Sequence, residues 1–449
     1  MKIEVRKPEM LLHTAALPAS KSISNRALII HALSGADPAL LHHVSDCDDT
    51  AVMQRALTIL AAEKAALHAD TKSIGTSNAD TSAPAVIDIG AAGTSMRFLT
   101  ALLAVTPGQH VITGSERMRH RPIGVLVEAL RQLGAEVAYE GQEGFPPLRI
   151  TGGVLPGGRL DIQGNVSSQY ISALLMIAPL MAQGLELHLR GTVVSRPYIR
   201  MTVTMMRQFG ADVRWQGSRT IHVSPLPYQP VPYYIEADWS AAAFWFEMAA
   251  LHPRPYARIA MPRLQPHSLQ GDAEVCRVFR ALGVTSHFTS TICGEKEFQI
   301  RHRRTDCQRL DYDFSRIPDL AQAVVVTCSL LGIPFRFTGL QTLRIKETDR
   351  IAALCTELDK LGVHLEVEDD STLRWEGPKR QTRAAVPYLR PAAGTVIDTY
   401  DDHRMAMAFA PAALRLKSIV INHPEVVSKS YPGYWNDLRH AGFKIEELD

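Results

Sequence analysis

The stretch Leu133-Gly134-Ala135-Glu136-Val137-Ala138-Tyr139 decides the fold. An amphipathic helix ends there in an apolar residue, glycine follows at once, and an alternating run typical of a strand comes next. Glycine fits this position because helices commonly end in a left-handed residue, where a Cβ atom is penalised. The stretch therefore predicts a helix that is joined to a strand by a tight turn.

The same junction recurs along the chain at intervals of about 73 to 80 residues. Further copies are Phe209-Gly210, Leu282-Gly283, Leu361-Gly362 and Ala441-Gly442, and a copy without glycine is expected to end near Leu60-Ala61. A unit of about 75 residues is longer than the repeats of solenoid proteins. Six such units fill the chain, and three on each side of about residue 235 predict two similar domains.

Hairpin patterns follow four of these junctions. Each consists of two alternating runs that flank a turn. They cover 135–139 with 148–151, 213–215 with 220–223, 284–288 with 298–301, and 363–367 with 373–375. A group of prolines within 225–234 predicts a linker, residues 70–84 an exposed loop, and residues 1–10 a strand rather than a signal peptide.

Composition limits the class of protein. The chain has 449 residues, of which 46% are hydrophobic and 21% charged, as in globular proteins with two large domains. A net charge of +2 and the lack of a basic run argue against nucleic-acid binding. The longest apolar stretches are about a dozen residues, too short to cross a bilayer. Six cysteines without a CxxC pair predict free thiols in a cytoplasmic protein.

Charged and small residues combine in a recurring way. The segment Lys346-Glu347-Thr348-Asp349-Arg350 places two cations and two anions before an amphipathic helix, which a solvated helix face could also explain. Short segments of similar chemistry recur far away in the sequence. They are Ser20-Lys21-Ser22 with Asn25-Arg26, Ala92-Gly93-Thr94-Ser95-Met96-Arg97, Arg119-His120-Arg121-Pro122, Ser167-Ser168-Gln169-Tyr170 and Asp401-Asp402-His403-Arg404. This is the profile of several helix N-termini that converge on anionic ligands.

Single residues within these segments keep a structural alternative. Gly93 allows the backbone to approach an anion closely, but it fits a tight strand-to-helix turn equally well. Ser167 and Ser168 could donate hydroxyl groups to an anion, although helix capping is the simpler interpretation. Arg121 precedes Pro122, so it projects from a rigid turn and offers bidentate contact to a carboxylate or phosphate.

Two carboxylates are candidates for proton transfer. Asp319 opens a strongly apolar helix, where it is either an ordinary first-turn acid or an acceptor of a hydroxyl proton. Glu347, between Lys346 and Arg350, could act as a general acid or base. His403 has no partners at metal-ligand spacing, so we expect a structural histidine and no metal site.

At these residues the chain resembles the 5-enolpyruvylshikimate-3-phosphate synthase family, the enolpyruvyl transferases of the shikimate pathway. The resemblance runs essentially end to end, and nine segments in the same order make it specific. Besides the segments quoted above, it rests on 17–26, Ile123-Gly124, Ser195-Arg196-Pro197-Tyr198, Ile317-Pro318-Asp319, Met405-Ala406-Met407 and Lys429-Ser430-Tyr431-Pro432.

The resemblance implies an α/β fold, a two-domain inside-out α/β barrel of six βαβαββ-type repeats, three per domain. The first domain is expected over 17–235, mainly on the shikimate 3-phosphate side. The second is expected over 1–16 plus 236–449, mainly on the phosphoenolpyruvate and catalytic side. The N-terminal strand would join the second domain, and in the family the two domains close over both substrates.

The implied reaction transfers enolpyruvyl from phosphoenolpyruvate to the 5-hydroxyl of shikimate 3-phosphate and releases phosphate, in chorismate and aromatic amino acid biosynthesis. Asp319 would accept the hydroxyl proton, and Glu347 or Lys21 would protonate phosphoenolpyruvate, without a metal or organic cofactor. The expected shikimate 3-phosphate ligands are Lys21, Ser22, Arg26, Ser167, Ser168, Gln169, Ser195, Tyr198, Asp319, Thr342 and Lys346. The expected phosphoenolpyruvate ligands are Lys21, Gly93, Arg121, Gln169, Arg350, Arg404 and Lys429. A monomer with no nucleic-acid or membrane partner is expected.

Two alternatives stay open. The UDP-N-acetylglucosamine enolpyruvyl transferases share the fold and phosphoenolpyruvate, but they usually carry a cysteine in the loop before the arginine, and 114–121 has none. A non-catalytic paralogue that binds phosphorylated metabolites is favoured only by Ala91 and Thr342, where the family commonly has Asn. Phe98, where Pro is common, could shift the helix that bears Gly93.

Overall fold

The computed structural model describes residues 1–70, 84–253, 257–290, 296–378, 388–392 and 394–448. The chain has an α/β fold that divides into two compact units. We call Lys21–Ile235 the continuous unit, and Met1–Ser20 with Glu236–Asp449 the discontinuous unit. Most of the loop predicted over 70–84 lies outside the described residues, as does Cys293.

The boundary differs slightly from the expected domain limits. Residues 17–20, which the resemblance placed in the first domain, belong to the discontinuous unit. The reason is local pairing, because the N–H of Ser20 donates to the carbonyl of Glu236 at 2.9 Å and Ala19 forms an antiparallel bridge with Ala237. The segment that leaves this unit and the segment that re-enters it therefore lie side by side.

The elements follow one another in chain order. Strands β1 (Lys2–Arg6) and β2 (Leu12–Thr14) begin the discontinuous unit. The continuous unit contains α1 (Lys21–Ser34), β3 (Leu41–His42), α2 (Asp48–Asp70), β4 (Ala85–Asp88), α3 (Gly93–Val105), β5 (Gly108–Thr113), α4 (Glu116–Arg119), α5 (Gly124–Gln132), β6 (Glu136–Tyr139), β7 (Leu148–Gly152), β8 (Gly158–Gln163), α6 (Ser168–Ile177), β9 (Leu185–Arg190), α7 (Arg196–Gln208), β10 (Val213–Gln216), β11 (Thr220–Val223) and β12 (Tyr233–Tyr234).

The rest of the discontinuous unit follows. It contains α8 (Trp239–Leu251), β13 (Arg258–Met261), α9 (Val275–Ala281), β14 (Val284–Ser290), β15 (Lys296–His302), β16 (Leu310–Asp313), α10 (Ala321–Leu331), β17 (Phe335–Thr338), α11 (Arg350–Asp359), β18 (Glu366–Asp369), β19 (Thr372–Trp375), β20 (Val396–Ile397), α12 (His403–Phe409), α13 (Ala413–Leu416), β21 (Ser418–Asn422), α14 (Tyr434–His440) and β22 (Lys444–Leu448). Short 3₁₀ helices cover Pro38–Leu40, Ala178–Leu180, Gly271–Glu274, Pro318–Leu320, Gln341–Ile345, Ala410–Ala412 and Pro424–Lys429.

Each sheet draws its strands from one unit. Within the described residues the continuous unit has the sheets β4-β5-β7-β6, β10-β11-β9-β8 and β12-β3, and the discontinuous unit has β20-β21-β1-β22, β14-β15-β13-β2 and β16-β17-β19-β18. Every four-stranded sheet contains one parallel pair followed by two antiparallel pairs; for example, β8 is parallel to β9, which is antiparallel to β11, as β11 is to β10. Strand β1 lies between β21 and β22, so it is a central strand.

The helix–glycine–strand junctions are confirmed. All five glycines have positive φ angles, from 84° at Gly210 to 98° at Gly134. At Gly283 a Cβ atom would also lie 2.3 Å from the carbonyl oxygen of Arg303, so glycine is required sterically. The four hairpins are confirmed as β6–β7, β10–β11, β14–β15 and β18–β19, although β18 begins at Glu366 rather than at residue 363.

One helix end was predicted wrongly. Helix α2 does not end near Leu60-Ala61 but continues to Asp70. The reason is intrinsic propensity, because the next residues, Ala-Glu-Lys-Ala-Ala-Leu, are strong helix formers and contain no glycine that would end the helix.

Apolar helices form the interior of each unit. Helices α3 and α6 pack together in the continuous unit, and α10 packs against α8 and α12 in the discontinuous unit. Helix α8 is buried along almost its whole length because its sequence is apolar on every side. The five described cysteines are free, as predicted. No helix in the described ranges is long and apolar enough to cross a membrane.

Candidate active site

The first group of predicted residues lies at the beginning of α3, in the continuous unit. Its cap residue, Ala92, has no side chain that could satisfy the first N–H groups of the helix. The guanidinium of Arg121 lies directly against Gly93, because a Cβ atom there would be 2.5 Å from one terminal nitrogen and 2.8 Å from the other. The Nε of Arg121 is buried and has no hydrogen-bond partner among the described residues. A helix N-terminus and an arginine together favour an anion.

Arg97 fixes this arrangement from below. Its guanidinium donates to the carbonyl of Gly93 at 3.0 Å and to the carbonyl of Pro122 at 3.1 Å. The hydroxyl of Tyr170 also donates to the Pro122 carbonyl, at 2.5 Å, and Arg97 lies over the Tyr170 ring. Arg97 was given no role from the sequence, although it stands one helical turn after Gly93 and such positions are neighbours on a helix surface.

Lys21 and Gln169 are held near the same helix start. The Nζ of Lys21 lies 3.0 Å from a carboxylate oxygen of Asp49, whose carbonyl accepts a hydrogen bond from Ser95 at 3.0 Å. The amide nitrogen of Gln169 donates to the hydroxyl of Thr94 at 3.0 Å. The structure therefore connects both predicted residues to the first turn of α3.

Three of the four predicted serines lie at the beginnings of two packed helices, α6 and α7, whereas Ser22 is the second residue of α1. Ser167 caps α6, since its hydroxyl accepts a hydrogen bond from the N–H of Gln169 at 3.3 Å, and the structural alternative holds for this residue. Ser168 is the first residue of α6 and is buried. Ser195 precedes α7 in a left-handed conformation with φ 52°, and Tyr198 lies in the first turn of α7.

Arg26 is more deeply engaged than the sequence analysis expected. Its guanidinium is buried over the Phe98 ring and donates to Thr202 at 2.7 Å, to the Ser22 carbonyl at 2.8 Å and to Ser172 at 3.2 Å. These bonds tie α1 to α6 and α7 and use three of the five N–H groups of an arginine. Burial lowers the pKa of Arg26 to about 10, so it remains a cation at neutral pH.

Asp319 is the centre of the predicted residues in the discontinuous unit. Its carboxylate lies 3.1 Å from the Nζ of Lys346, 3.1 Å from Arg350 and 3.7 Å from Arg404, and its carbonyl accepts a hydrogen bond from Arg404 at 2.9 Å. Burial acts to raise the pKa of Asp319, but Lys346, Arg404 and Arg350 together lower it far below its ordinary value. Asp319 is therefore ionised at neutral pH.

Arg350 is enclosed by three carboxylates. Its guanidinium, 1% exposed, donates to Asp402 at 2.6 Å, to Glu347 at 2.8 Å and to Asp319 at 3.1 Å. Burial opposes the charge, but the three carboxylates raise the pKa of Arg350 above its ordinary value. Arg350 was expected to bind phosphoenolpyruvate, and in this conformation four of its five N–H groups already donate to carboxylates.

Asp402 was missed as a functional residue. It is fully buried, binds Arg350 through both carboxylate oxygens and caps α12 by accepting the N–H of Arg404 at 2.9 Å. An aspartate immediately before a helix is a known capping signal, so the capping role, but not the contact with Arg350, was readable from the sequence.

The remaining predicted residues lie nearby in the same unit. The Nζ of Lys429 donates to the carbonyl of Asp401 at 2.6 Å. The hydroxyl of Thr342 is buried and has no hydrogen-bond partner within the described part of the chain. His403 is buried at the beginning of α12. The described residues contain no group of three or more His, Cys, Asp or Glu side chains that could hold a metal.

Comparison with known proteins identifies the family. A family model described as EPSP synthase (3-phosphoshikimate 1-carboxyvinyltransferase) matches residues 5–438. The chain belongs to the EPSP synthase family. This EPSP synthase family member is 52% identical over 446 residues to a curated 3-phosphoshikimate 1-carboxyvinyltransferase of Bacteroides fragilis (strain YCH46), and the alignment covers 99% of each chain.

Two solved structures are similar to this EPSP synthase family member. One is the EPSP synthase of Acinetobacter baumannii, with a TM-score of 0.73, 21% identity and coverage of 100% of both chains. The other is the enolpyruvyl transferase NikO of Streptomyces tendae, with a TM-score of 0.69, 15% identity and coverage of 100% of this chain and 98% of that one. They show the α/β fold, whereas the family match confirms the resemblance and makes the protein an enzyme of the transferase class.

Proposed function

We propose that this protein transfers the enolpyruvyl group of phosphoenolpyruvate to the 5-hydroxyl of shikimate 3-phosphate and releases phosphate. Family membership and the 52% identity to a curated 3-phosphoshikimate 1-carboxyvinyltransferase support this activity. The observation that carries the proposal is Asp319 among Lys346, Arg350 and Arg404, a carboxylate held beside cations. Such a group can accept a proton while the cations bind phosphate and carboxylate groups.

Phosphoenolpyruvate has two anionic groups, a phosphate and a carboxylate. Arg121 and the first turn of α3 suit one of them, because the guanidinium and the helix N–H groups point to the same place beside Gly93. The proposed set for this substrate is Lys21, Gly93, Arg121, Gln169, Arg350, Arg404 and Lys429. Arg350 is the most enclosed member of this set, and in this conformation its role is to hold three carboxylates in place.

Shikimate 3-phosphate has one phosphate, one carboxylate and hydroxyl groups, so it suits a mixture of hydroxyl, amide and cationic side chains. The helix beginnings of α6 and α7 offer such groups at Ser168, Gln169 and Ser195. The proposed set for this substrate is Lys21, Ser22, Arg26, Ser167, Ser168, Gln169, Ser195, Tyr198, Asp319, Thr342 and Lys346. Arg26 contributes with the N–H groups that its structural bonds leave over.

Proton transfers complete the proposed mechanism. Asp319 accepts the proton of the attacking hydroxyl, while Glu347 or Lys21 protonates the methylene carbon of phosphoenolpyruvate. In the elimination that follows, the C–O bond to phosphate breaks and the new methyl group returns a proton to the same base, which restores the carbon–carbon double bond. The very low pKa makes Asp319 a weak base on its own. Anionic substrates that draw on the charge of Lys346 and Arg404 raise the pKa of Asp319 toward a useful value. The same cations stabilise the tetrahedral intermediate and the departing phosphate.

The finer architecture belongs to the same proposal. We propose an inside-out α/β barrel with six βαβαββ-type repeats, three in each domain, and this is supported by three sheets in each unit and by the strand order that the four-stranded sheets share. We also propose a cytoplasmic monomer, without a metal or organic cofactor and without nucleic-acid or membrane partners. The free cysteines and the near-neutral charge of +2 support these points.

Phosphate release from the purified protein with both substrates tests the function. We expect release only when shikimate 3-phosphate and phosphoenolpyruvate are present together, and a loss of at least roughly 100-fold in Asp319→Ala. Asp370→Ala is the control, because this side chain of the same unit is 97% exposed, and it should retain the wild-type rate.

Each other outcome has a definite meaning. Release with UDP-N-acetylglucosamine instead of shikimate 3-phosphate would identify the related transferase. Binding of shikimate 3-phosphate without any release would identify a non-catalytic paralogue. Undiminished release by Asp319→Ala would remove Asp319 from the mechanism but leave the activity in place.

A further inference from the structure

Glu357, on α11, is a buried carboxylate outside the proposed catalytic set. It is fully covered, and a charge at that depth has to be hydrogen-bonded or paired. One of its oxygens accepts the hydroxyl of Tyr400 at 2.5 Å, and the other accepts the N–H of Asp398 at 3.1 Å and lies 2.7 Å from the Nζ of Lys360. Two of these contacts therefore hold the segment 398–400, and the third pairs Glu357 with Lys360 at the end of its own helix, α11.

The segment held by Glu357 has an unusual backbone. Tyr400 and the next residue, Asp401, both have a φ of 54°, in the left-handed region that favours glycine. For a bulky residue such as tyrosine this conformation is an outlier that persists only where its surroundings hold it. Burial and the adjacent Glu357 raise the pKa of Tyr400 above its ordinary value, so its hydroxyl remains a hydrogen-bond donor at neutral pH.

The two residues that follow Tyr400 contact the side chains of two predicted cationic ligands and the backbone of a third. The carbonyl of Asp401 accepts a hydrogen bond from Lys429 at 2.6 Å. The carboxylate of Asp402 accepts one from Arg350 at 2.6 Å and one from the N–H of Arg404 at 2.9 Å. The backbone at 400–402 thus helps to hold Lys429, Arg350 and the start of α12, which carries Arg404.

We propose that Glu357 and Tyr400 are positioning residues, which hold the left-handed segment 400–402 so that Lys429, Arg350 and Arg404 stand where phosphoenolpyruvate binds. The inference rests on the proposed function, since that function assigns these three cations to phosphoenolpyruvate. The carboxylate of Glu357 is buried and accepts the hydroxyl of Tyr400, so these two polar groups are engaged with each other and act through the segment. Lys360 and Asp398 both contact Glu357 and are joined to each other by an ion pair of 2.9 Å. We call Glu357, Tyr400, Lys360 and Asp398 the Glu357 anchor.

The substitution Tyr400→Phe tests the proposal because it removes the hydroxyl alone. We expect the KM for phosphoenolpyruvate to rise roughly 10-fold, the range that follows from losing a hydrogen bond to a charged group. The KM for shikimate 3-phosphate should stay within about twofold, since the segment contacts only the phosphoenolpyruvate set. Tyr228→Phe is the matched control: it removes a buried tyrosine hydroxyl, bonded to the Met176 carbonyl at 2.8 Å, in the continuous unit, and both KM values should stay unchanged.

A double-mutant cycle with Lys429→Ala separates positioning from general loss of structure. If Tyr400 acts through Asp401 and Lys429, the two substitutions together should raise the KM for phosphoenolpyruvate little more than Lys429→Ala alone. Effects that multiply independently would overturn positioning through Lys429, and a Tyr400→Phe variant with the wild-type KM for phosphoenolpyruvate would overturn the whole proposal.

Two further outcomes are distinguishable. A wild-type protein that releases no phosphate with both substrates contradicts the proposed function, and with it the inference. If Tyr400→Phe does not fold, Glu357→Gln takes its place, because it keeps an oxygen for the Tyr400 hydroxyl but loses the charge. We then expect a rise in the KM for phosphoenolpyruvate alone, and an unchanged KM overturns the proposal.

Discussion

The guanidinium of Arg121 packs directly against Gly93, and this contact between two residues determines how an anion can approach the N-terminus of α3. The guanidinium occupies the position that any side chain at residue 93 would need. Glycine is thus present for the contact that it permits rather than for a left-handed angle. Arg97 keeps the two segments at this spacing through its bonds to the carbonyls of Gly93 and Pro122.

The substitution Gly93→Ala should therefore weaken binding without unfolding the protein. The new methyl group meets the flexible end of Arg121, which can swing away at little cost to stability. We expect the KM for phosphoenolpyruvate to rise roughly 10-fold, because one charged hydrogen bond is lost, with little change in the melting temperature. Gly153→Ala is the control, since nothing lies within 4 Å of a Cβ atom there. Equal KM values in both variants would contradict the argument.

Residue types were predictable from the sequence, but contacts were not. Arg350 was assigned to phosphoenolpyruvate through the family resemblance, whereas its nearest partner, Asp402, is 52 residues away in the chain. Only the fold closes that distance, so the sequence offered no sign that Arg350 is enclosed. The hydroxyl of Thr342 was likewise assigned to a substrate and lies buried.

Among single elements, α11 carries both Arg350 and Glu357, so a stable beginning of this helix supports both the candidate active site and the Glu357 anchor. Asp349 caps this helix by accepting the N–H groups of Ile351 and Ala352, both at 3.1 Å, and its other oxygen accepts from Arg344 at 3.0 Å. A capping aspartate satisfies N–H groups that the helix itself leaves open.

We expect Asp349→Ala to lower the free energy of unfolding by about 1 kcal/mol, the usual contribution of a helix cap. Asp349→Asn should restore most of that loss, because asparagine caps about as well, even though the charge that faces Arg344 is removed. Urea unfolding of the three proteins measures both differences. Equal stability of Asp349→Ala and the wild type would show that α11 does not need this cap.

Elements were predicted best where the chain carries explicit signals. The glycine junctions and hairpins were readable because positive φ angles and strand alternation leave marks in the sequence. The two-residue strands β3 and β12 were not predicted, since so short a strand has no periodicity. Helix α2 extended past its predicted end because a run of good helix formers contains no stop signal.

In the whole molecule the chain forms two units, and it leaves and re-enters the discontinuous unit at neighbouring positions. No described sheet takes strands from both units. The discontinuous unit is closed locally, because Ser20 and Glu236 are joined by a hydrogen bond of 2.9 Å although 215 residues of the other unit lie between them.

This arrangement predicts that the units fold separately. Residues 21–235 alone, and residues 1–20 joined to 236–449 by a few glycines, should each unfold cooperatively on heating. The short linker suffices because Ser20 and Glu236 are already hydrogen-bonded. Neither fragment should release phosphate, since the proposed ligands are divided between them. Circular dichroism during heating measures the folding, and a broad transition without cooperativity in either fragment would contradict the prediction.

The central position of β1 also has a consequence in time. Its neighbours β21 and β22 are residues Ser418–Asn422 and Lys444–Leu448, which a ribosome makes roughly 400 residues after β1. At a synthesis rate of roughly 5–20 residues per second, β1 waits on the order of 20–90 s for them. During that interval Ile3 and Val5, which are covered in the finished protein, lack their partners. Strand β1 is thus translated long before its partners, and the synthesis of β21 and β22 sets the moment when this sheet can close.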